Sequence, residues 1–291
     1  MHITGNNINL DVGIRMNILN EIKQAYYKAN IVEKIIYINV LMLLITNLFK
    51  GFIINWFGLP ASFDEFITKP WTLITYGFLH LSIWHILSNL LVLYYLGNLF
   101  LNFHTKKQFL NFYFLGIIVG AIAFLLNYYI TNKTGSPLIG ASAAVSTIFI
   151  GIATKIPRYA IQLRFIGSVE LWVLAVIWIG LSILQLANVE NGGAIAHIAG
   201  AAFGFVYAKQ LSAGNDIGKW FETIIDYFSN LFKPKKTSNL KTVYKSKRRT
   251  ANDVSKTKQR KIDDILDKIS KSGYNALTKE EKDYLFRAGK K

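Results

Sequence analysis

No cysteine occurs in the 291 residues, which excludes disulfides and thiolate chemistry and leaves the redox compartment open. Charge is scarce as well. Asp, Glu, Lys and Arg make up 17% of the chain, below the roughly 25% usual in soluble domains. Acidic residues are the scarcer sign, 17 against 33 Lys and Arg. The opening residues Met1 to Asn9 are polar and lack a basic n-region feeding a short apolar run. The expectation is therefore an uncleaved first apolar segment, not a removed signal peptide.

What fills the sequence instead is hydrophobic: 52% of residues, 14% of all residues being aromatic, with a mean hydropathy of +0.29. Six apolar stretches approach the ~20 residues that cross a bilayer core. They run over 35–57, 81–103, 109–130, 142–156, 169–187 and 194–211. Lys50 interrupts the first near its end, where a lysine snorkels outward. Six such runs joined by short connections predict an all-α membrane protein, a six-transmembrane-helix bundle. With the N-terminus inside, thirty of the 33 basic residues fall on the inner side, leaving Lys50, Lys69 and Lys133 outside. The positive-inside rule then places both termini in the cytoplasm.

After the sixth span the composition changes. Residues 209–291 hold 21 of the 33 Lys and Arg but 10 of the 17 acids. Beside a membrane such a tail is expected to meet anionic lipid headgroups, and no nucleic acid is expected. Apolar residues from Ile217 to Phe232 recur at helical spacing, which predicts an amphipathic interfacial helix over 212–232. Residues 233–261, with 12 Lys and Arg and the single acid Asp253, read as a flexible basic linker. Residues 262–291 regain periodicity and read as a small helical hairpin, its second helix opened by a capping box of Thr278 and Glu281. The domain reading is thus 1–34 as a cytoplasmic N-terminal segment, 35–211 as the core, and the three tail pieces.

Polar groups inside membrane spans are costly and point to function. His85 and Asn89 lie four residues apart on one face of the second span. The fourth opens with Gly140-Ala141-Ser142-Ala143, and the sixth carries His197 followed by Gly200 and Gly204 at GxxxG spacing. At ~1.5 Å of rise per residue from the inner boundary, Ser142 sits ~21 Å up, Asn89 ~22 Å, His197 ~18 Å and His85 ~28 Å. Four groups on three helices therefore share one slab in the outer half of the membrane. A serine needs an adjacent base to become a nucleophile, and His197 is the candidate. The Ser142 N–H at a helix N-terminus, the Asn89 amide and the His85 ring can receive the oxyanion. No carboxylate lies at that depth, so a dyad is expected and no triad. The same lack argues against a metal site at His80, His85 and His197. Gly200 and Gly204 allow the sixth helix to approach the small-residue fourth closely, and Gly140 belongs with them as a small residue at the site.

Trp71-Thr72-Leu73-Ile74-Thr75-Tyr76-Gly77-Phe78-Leu79-His80, continuing to His85 and Asn89, resembles the first-loop and second-helix signature of the rhomboid intramembrane proteases. Gly140-Ala141-Ser142 resembles their nucleophile motif, and Ala196-His197-Ile198-Ala199-Gly200 through Gly204 their histidine motif. The resemblance covers about residues 35–211. It implies a Ser142–His197 dyad, an oxyanion site at His85 and Asn89, and cleavage of transmembrane or membrane-associated substrates near the outer face, without cofactor. It also implies a multi-pass protein of a bacterial cytoplasmic membrane. Ala143 stands where glycine is usual after the nucleophile, and Thr72 where arginine often follows the tryptophan. The competing class is a non-catalytic rhomboid-like protein that binds transmembrane helices for quality control.

Overall fold

The computed structural model describes residues 20–21, 23–132, 135–164, 167–186, 192–231 and 251–289. The chain divides into two compact units, Met1–Lys233 and Pro234–Lys291.

The first unit begins its regular core at α1 (Ile31–Leu48), four residues before the expected start. The cause is a capping box: the Asn30 side chain accepts from the Glu33 N–H while Glu33 reaches back to the Asn30 N–H. The first apolar stretch is not one continuous helix. It breaks at Phe49, and α2 (Lys50–Phe57) follows. Lys50 and Gly51 come directly after the break, a charge and a poor helix former that suit the end of an apolar helix. Two short helices, α3 (Phe63–Thr68) and α4 (Thr72–Thr75), and a 3-10 turn (Tyr76–Phe78) lead to α5 (Ile83–Leu101). Next come α6 (Lys106–Thr131), opened by a capping box of Thr105 and Gln108, and α7 (Ser142–Lys155). A two-stranded antiparallel hairpin, β1 (Ala160–Leu163) with β2 (Gly167–Glu170), then interrupts the expected all-α pattern. Alternating burial of Ile161 and Leu163 against exposed Ala160 and Gln162 gives it the period of a strand. Helices α8 (Leu171–Leu186) and α9 (Gly192–Ser212) complete the bundle.

Among the described residues three helices, α1, α5 and α6, are long and apolar enough to cross a membrane; α7 and α8 are apolar but shorter. The short α7 lies at the centre, every residue from Ser142 to Ala153 buried. Alanine, glycine, serine and threonine dominate it, and neighbouring helices come in on two sides. On one side a Cβ at Gly200 would run into the Ala143 carbonyl oxygen, and one at Gly204 into that of Thr147. On the other, Gly116 of α6 faces the Thr147 side chain and Gly120 faces Ala143. Thr147 ties the sandwich together: its hydroxyl lies 2.9 Å from the carbonyl oxygens of both Ala143 and Gly200. Trp178 Nε1 of α8 donates to Ser146 Oγ at 2.9 Å, fixing a third neighbour. Such interhelical bonds are worth ~0.6 kcal/mol each in membrane bundles.

Within the 212–232 segment expected at the membrane interface, α10 (Lys219–Leu231) forms and packs against α6. Lys107 at the start of α6 reaches Asp226 at 2.8 Å and Glu222 at 3.6 Å, and Phe221 is buried beside Phe114. The preceding turn is held by Tyr207, whose hydroxyl donates to Asp216 Oδ1 at 2.6 Å. Trp220, Ile224 and Tyr227 are exposed.

The second unit holds α11 (Ala251–Ser272), a 3-10 turn (Tyr274–Ala276) and α12 (Lys279–Ala288). Gly273 turns the chain at φ +79°, a conformation open to glycine. The capping box of Thr278 and Glu281 is present, and Lys268 Nζ meets Glu281 at 3.0 Å. The Thr278 N–H and Lys268 together hold the Glu281 carboxyl below its ordinary pKa. The helix begins at Ala251, so the basic linker expected over 233–261 is helical in its last eleven residues. Lysine, arginine and glutamine are good helix formers, and their charge does not bar a helix with exposed faces. Residues 233–250 of that linker, Phe232 at the end of the expected interfacial helix, Lys133, and residues 1–19 and 22 of the N-terminal segment lie outside the described residues.

Candidate active site

Ser142 is the first residue of α7, so its N–H and those of Ala143 and Ala144 have no intrahelical acceptor. The approach to it is clamped by the first loop. Leu138 pairs with Leu59 through two backbone bonds of 3.1 and 2.8 Å, and the Gly140 N–H donates to the Tyr76 carbonyl at 2.9 Å. Tyr76 is anchored in turn by its hydroxyl, which donates to the Ile117 carbonyl of α6 at 2.7 Å.

His197, in the second turn of α9, places Nε2 2.5 Å from Ser142 Oγ. With the imidazole proton on Nδ1, the serine hydroxyl donates to Nε2. The close packing of Gly200 and Gly204 on α7 is what brings the two side chains together across 55 residues of sequence. Both side chains open onto a cavity of ≈ 350 Å³ that His85, Phe124, Leu138, Ile139, Gln185 and Gly193 also line. Among the described residues no carboxylate lines it. Among the described residues no three His, Asp or Glu side chains converge to hold a metal ion.

His85 faces this cavity directly. Asn89, one turn further along α5, does not line it: it is 2% exposed, and its Nδ2 lies 3.4 Å from His80 Nε2. His80 is fully buried, its ring packed edge-on to His85 with centroids 5.1 Å apart, and its Nε2 is 3.5 Å from the Ala141 N–H. The polar layer behind the cavity is therefore His85, His80 and Asn89, with His80 joining α5 to the residue before Ser142. Its position in the first-loop motif was the available signal.

Gly140 does not serve helix packing. It has φ +123°, a conformation that side chains rarely adopt, and a Cβ there would lie 2.8 Å from the His85 ring. It turns the chain into α7 and leaves room for that imidazole. The second glycine pair, Gly116 and Gly120, was legible as GxxxG spacing in the third apolar stretch. Gly120 also accounts for Ala143, because a Cβ at residue 120 would sit 2.6 Å from the Ala143 methyl. The first-loop departure at Thr72 has a counterpart too. Lys69 supplies a cation, its Nζ bonding the Asn55 carbonyl at 2.9 Å and Glu65 at 2.8 Å, while Trp71 Nε1 donates to the Trp56 carbonyl at 2.7 Å.

Comparison with known proteins finds the Rhomboid domain over residues 68–214, just over half of the chain. A second match, to a family of unknown function (DUF6576), covers residues 249–291. RHOMBOID-like protein 12, mitochondrial, of Arabidopsis thaliana is 26% identical over 157 residues, which cover 49% of this chain and 47% of that protein. The chain thus matches about half the length of that curated relative.

Proposed function

The chain belongs to the rhomboid family, and on that premise we propose that it is an intramembrane serine endopeptidase acting through a Ser142–His197 dyad. The observation that carries this reading is the 2.5 Å separation of His197 Nε2 from Ser142 Oγ at the wall of an open cavity. A serine in a transmembrane helix ordinarily bonds its own backbone; this one, at a helix start, is committed to an imidazole.

In the reaction, His197 takes the Ser142 proton as Oγ attacks the scissile carbonyl carbon. The oxyanion lies against the free N–H groups at the start of α7 and the His85 ring, preorganised donors of the kind that stabilise tetrahedral intermediates. Asn89 and His80 act from behind, holding the His85 side of the site. His197 then returns the proton to the leaving amine, and water cleaves the acyl-enzyme by the same steps reversed.

The substrates are transmembrane or membrane-associated proteins cut near the outer face. The family and the apolar helices α1, α5 and α6 support a membrane protein. A six-span arrangement in a bacterial cytoplasmic membrane, with both termini cytoplasmic and the basic tail against anionic lipids, accords with the distribution of Lys and Arg. Cleavage of a transmembrane reporter by the wild-type chain, Ser142→Ala and His197→Ala tests the proposal. Loss of cleavage in both variants, with normal membrane insertion, is expected; activity surviving in Ser142→Ala contradicts it. The second reading, a non-catalytic transmembrane-helix binder, predicts no cleavage by any of the three.

A further inference from the structure

Away from the dyad, a second cavity of ≈ 510 Å³ lies between the first loop and α6. Phe63 and Phe66 of α3 form its roof and Leu73 closes one end. Its floor is the face of α6 formed by Ile122, Leu125, Leu126 and Tyr129. Among the described residues no charged side chain lines it. We propose that this groove holds one acyl chain of a membrane phospholipid with a zwitterionic, ammonium-bearing headgroup.

The case rests on three features of the groove. It is continuous with surface that lipid covers in a membrane protein: Ile122, Leu126 and Tyr129 are 45, 52 and 72% exposed, on a helix apolar enough to span. Its roof has the character of an interfacial helix, because α3 turns Phe63 and Phe66 onto the groove and carries Asp64 and Glu65 in its first turn. Tyr129 in the floor is exposed, as is the stacked pair Trp56 and Trp71 next to the first loop, the kind of amphipathic aromatics found at headgroup level. The third feature is charge. Glu65 is neutralised by Lys69 at 2.8 Å, whereas Asp64 is exposed without a cation among the described residues. An acidic rim repels an anionic headgroup and complements an ammonium. The inference rests on the membrane placement proposed above and not on the protease chemistry.

The test is native mass spectrometry of the full-length chain released from bilayers containing equal amounts of ethanolamine and glycerol phospholipid. One ethanolamine lipid per chain should be retained. Leu126→Trp fills the groove, and losing contact with about two methylenes should lower retention roughly tenfold. Leu181→Trp, at a similarly exposed site on α8, should retain lipid like the parent. Melting temperatures check that both variants fold. Ser142→Ala should bind lipid normally, so a failed protease reading leaves this result untouched. No retained lipid in the parent, equal loss in both tryptophan variants, or preferential retention of the glycerol lipid overturns the proposal.

Discussion

Gly120 of α6 and Ala143 of α7 face each other so closely that a second methyl group has no room: a Cβ on residue 120 would stand 2.6 Å from that of Ala143. The residue after the nucleophile and a glycine on another helix thus form a matched pair. Gly120→Ala alone should lower the melting temperature and reporter cleavage, because overpacking a core costs ~1–3 kcal/mol. Ala143→Gly should itself cost ~1 kcal/mol, the usual penalty of glycine in a helix, and the double variant should cost clearly less than the sum of the two single changes. A double-mutant cycle on melting temperature measures this; strict additivity would mean that the two positions do not meet.

From α9, Gly200 and Gly204 press on backbone atoms of Ala143 and Thr147. A backbone neighbour cannot swing aside as a side-chain tip can. From spacing alone Gly204→Ala is expected to be mild; with Thr147 backbone against it, it should instead approach Gly200→Ala in its cost. Either change displaces His197 from Ser142, and a misplacement of about an ångström can cost ~10²-fold in rate. Reporter cleavage by the two alanine variants checks this, and wild-type activity in either would place that glycine away from α7.

His85 and Asn89 should separate kinetically. His85 lines the cavity whereas Asn89 contacts His80. Removing a direct oxyanion donor typically costs ~10²–10³ in turnover. His85→Ala should show that loss in kcat, with Asn89→Ala and His80→Ala milder and similar to each other. If Asn89→Ala proved the more severe, its amide would reach the oxyanion directly.

The docked α10 changes what a truncation should do. Ending the chain after Leu231 keeps the Lys107 contacts to Glu222 and Asp226 and the Tyr207–Asp216 bond, so melting in detergent should match the full chain. Ending it after Gly214 removes them all and exposes the C-terminal end of α9, and should lower the melting temperature by several degrees. Equal stability of the two truncations would mean that α10 contributes nothing to the core.

Much of this was legible because the signals were local. Ser142, His197, the GxxxG pair and the Thr278–Glu281 box each lie in a short stretch whose spacing carries its meaning. What the sequence hid was either conformational or relational. Gly140 reads as one more small residue until its positive φ and its clearance from His85 are seen. The placement of Asn89 depends on His80, nine residues away on an irregular turn that no periodicity describes. The amphipathic pattern of α10 fits a membrane surface and a protein surface equally. Its contact with Lys107, more than a hundred residues upstream, is one that no local periodicity announces.

The central claim is that Ser142 is a nucleophile activated by His197, and one measurement addresses it most directly. Membranes containing the full-length chain are treated with a fluorophosphonate probe, and the adduct is mapped by peptide mass spectrometry. The account predicts a single adduct on Ser142, abolished in Ser142→Ala and strongly reduced in His197→Ala while the fold is retained. An unlabelled Ser142 in the intact wild-type chain, or labelling indifferent to the loss of His197, would contradict it.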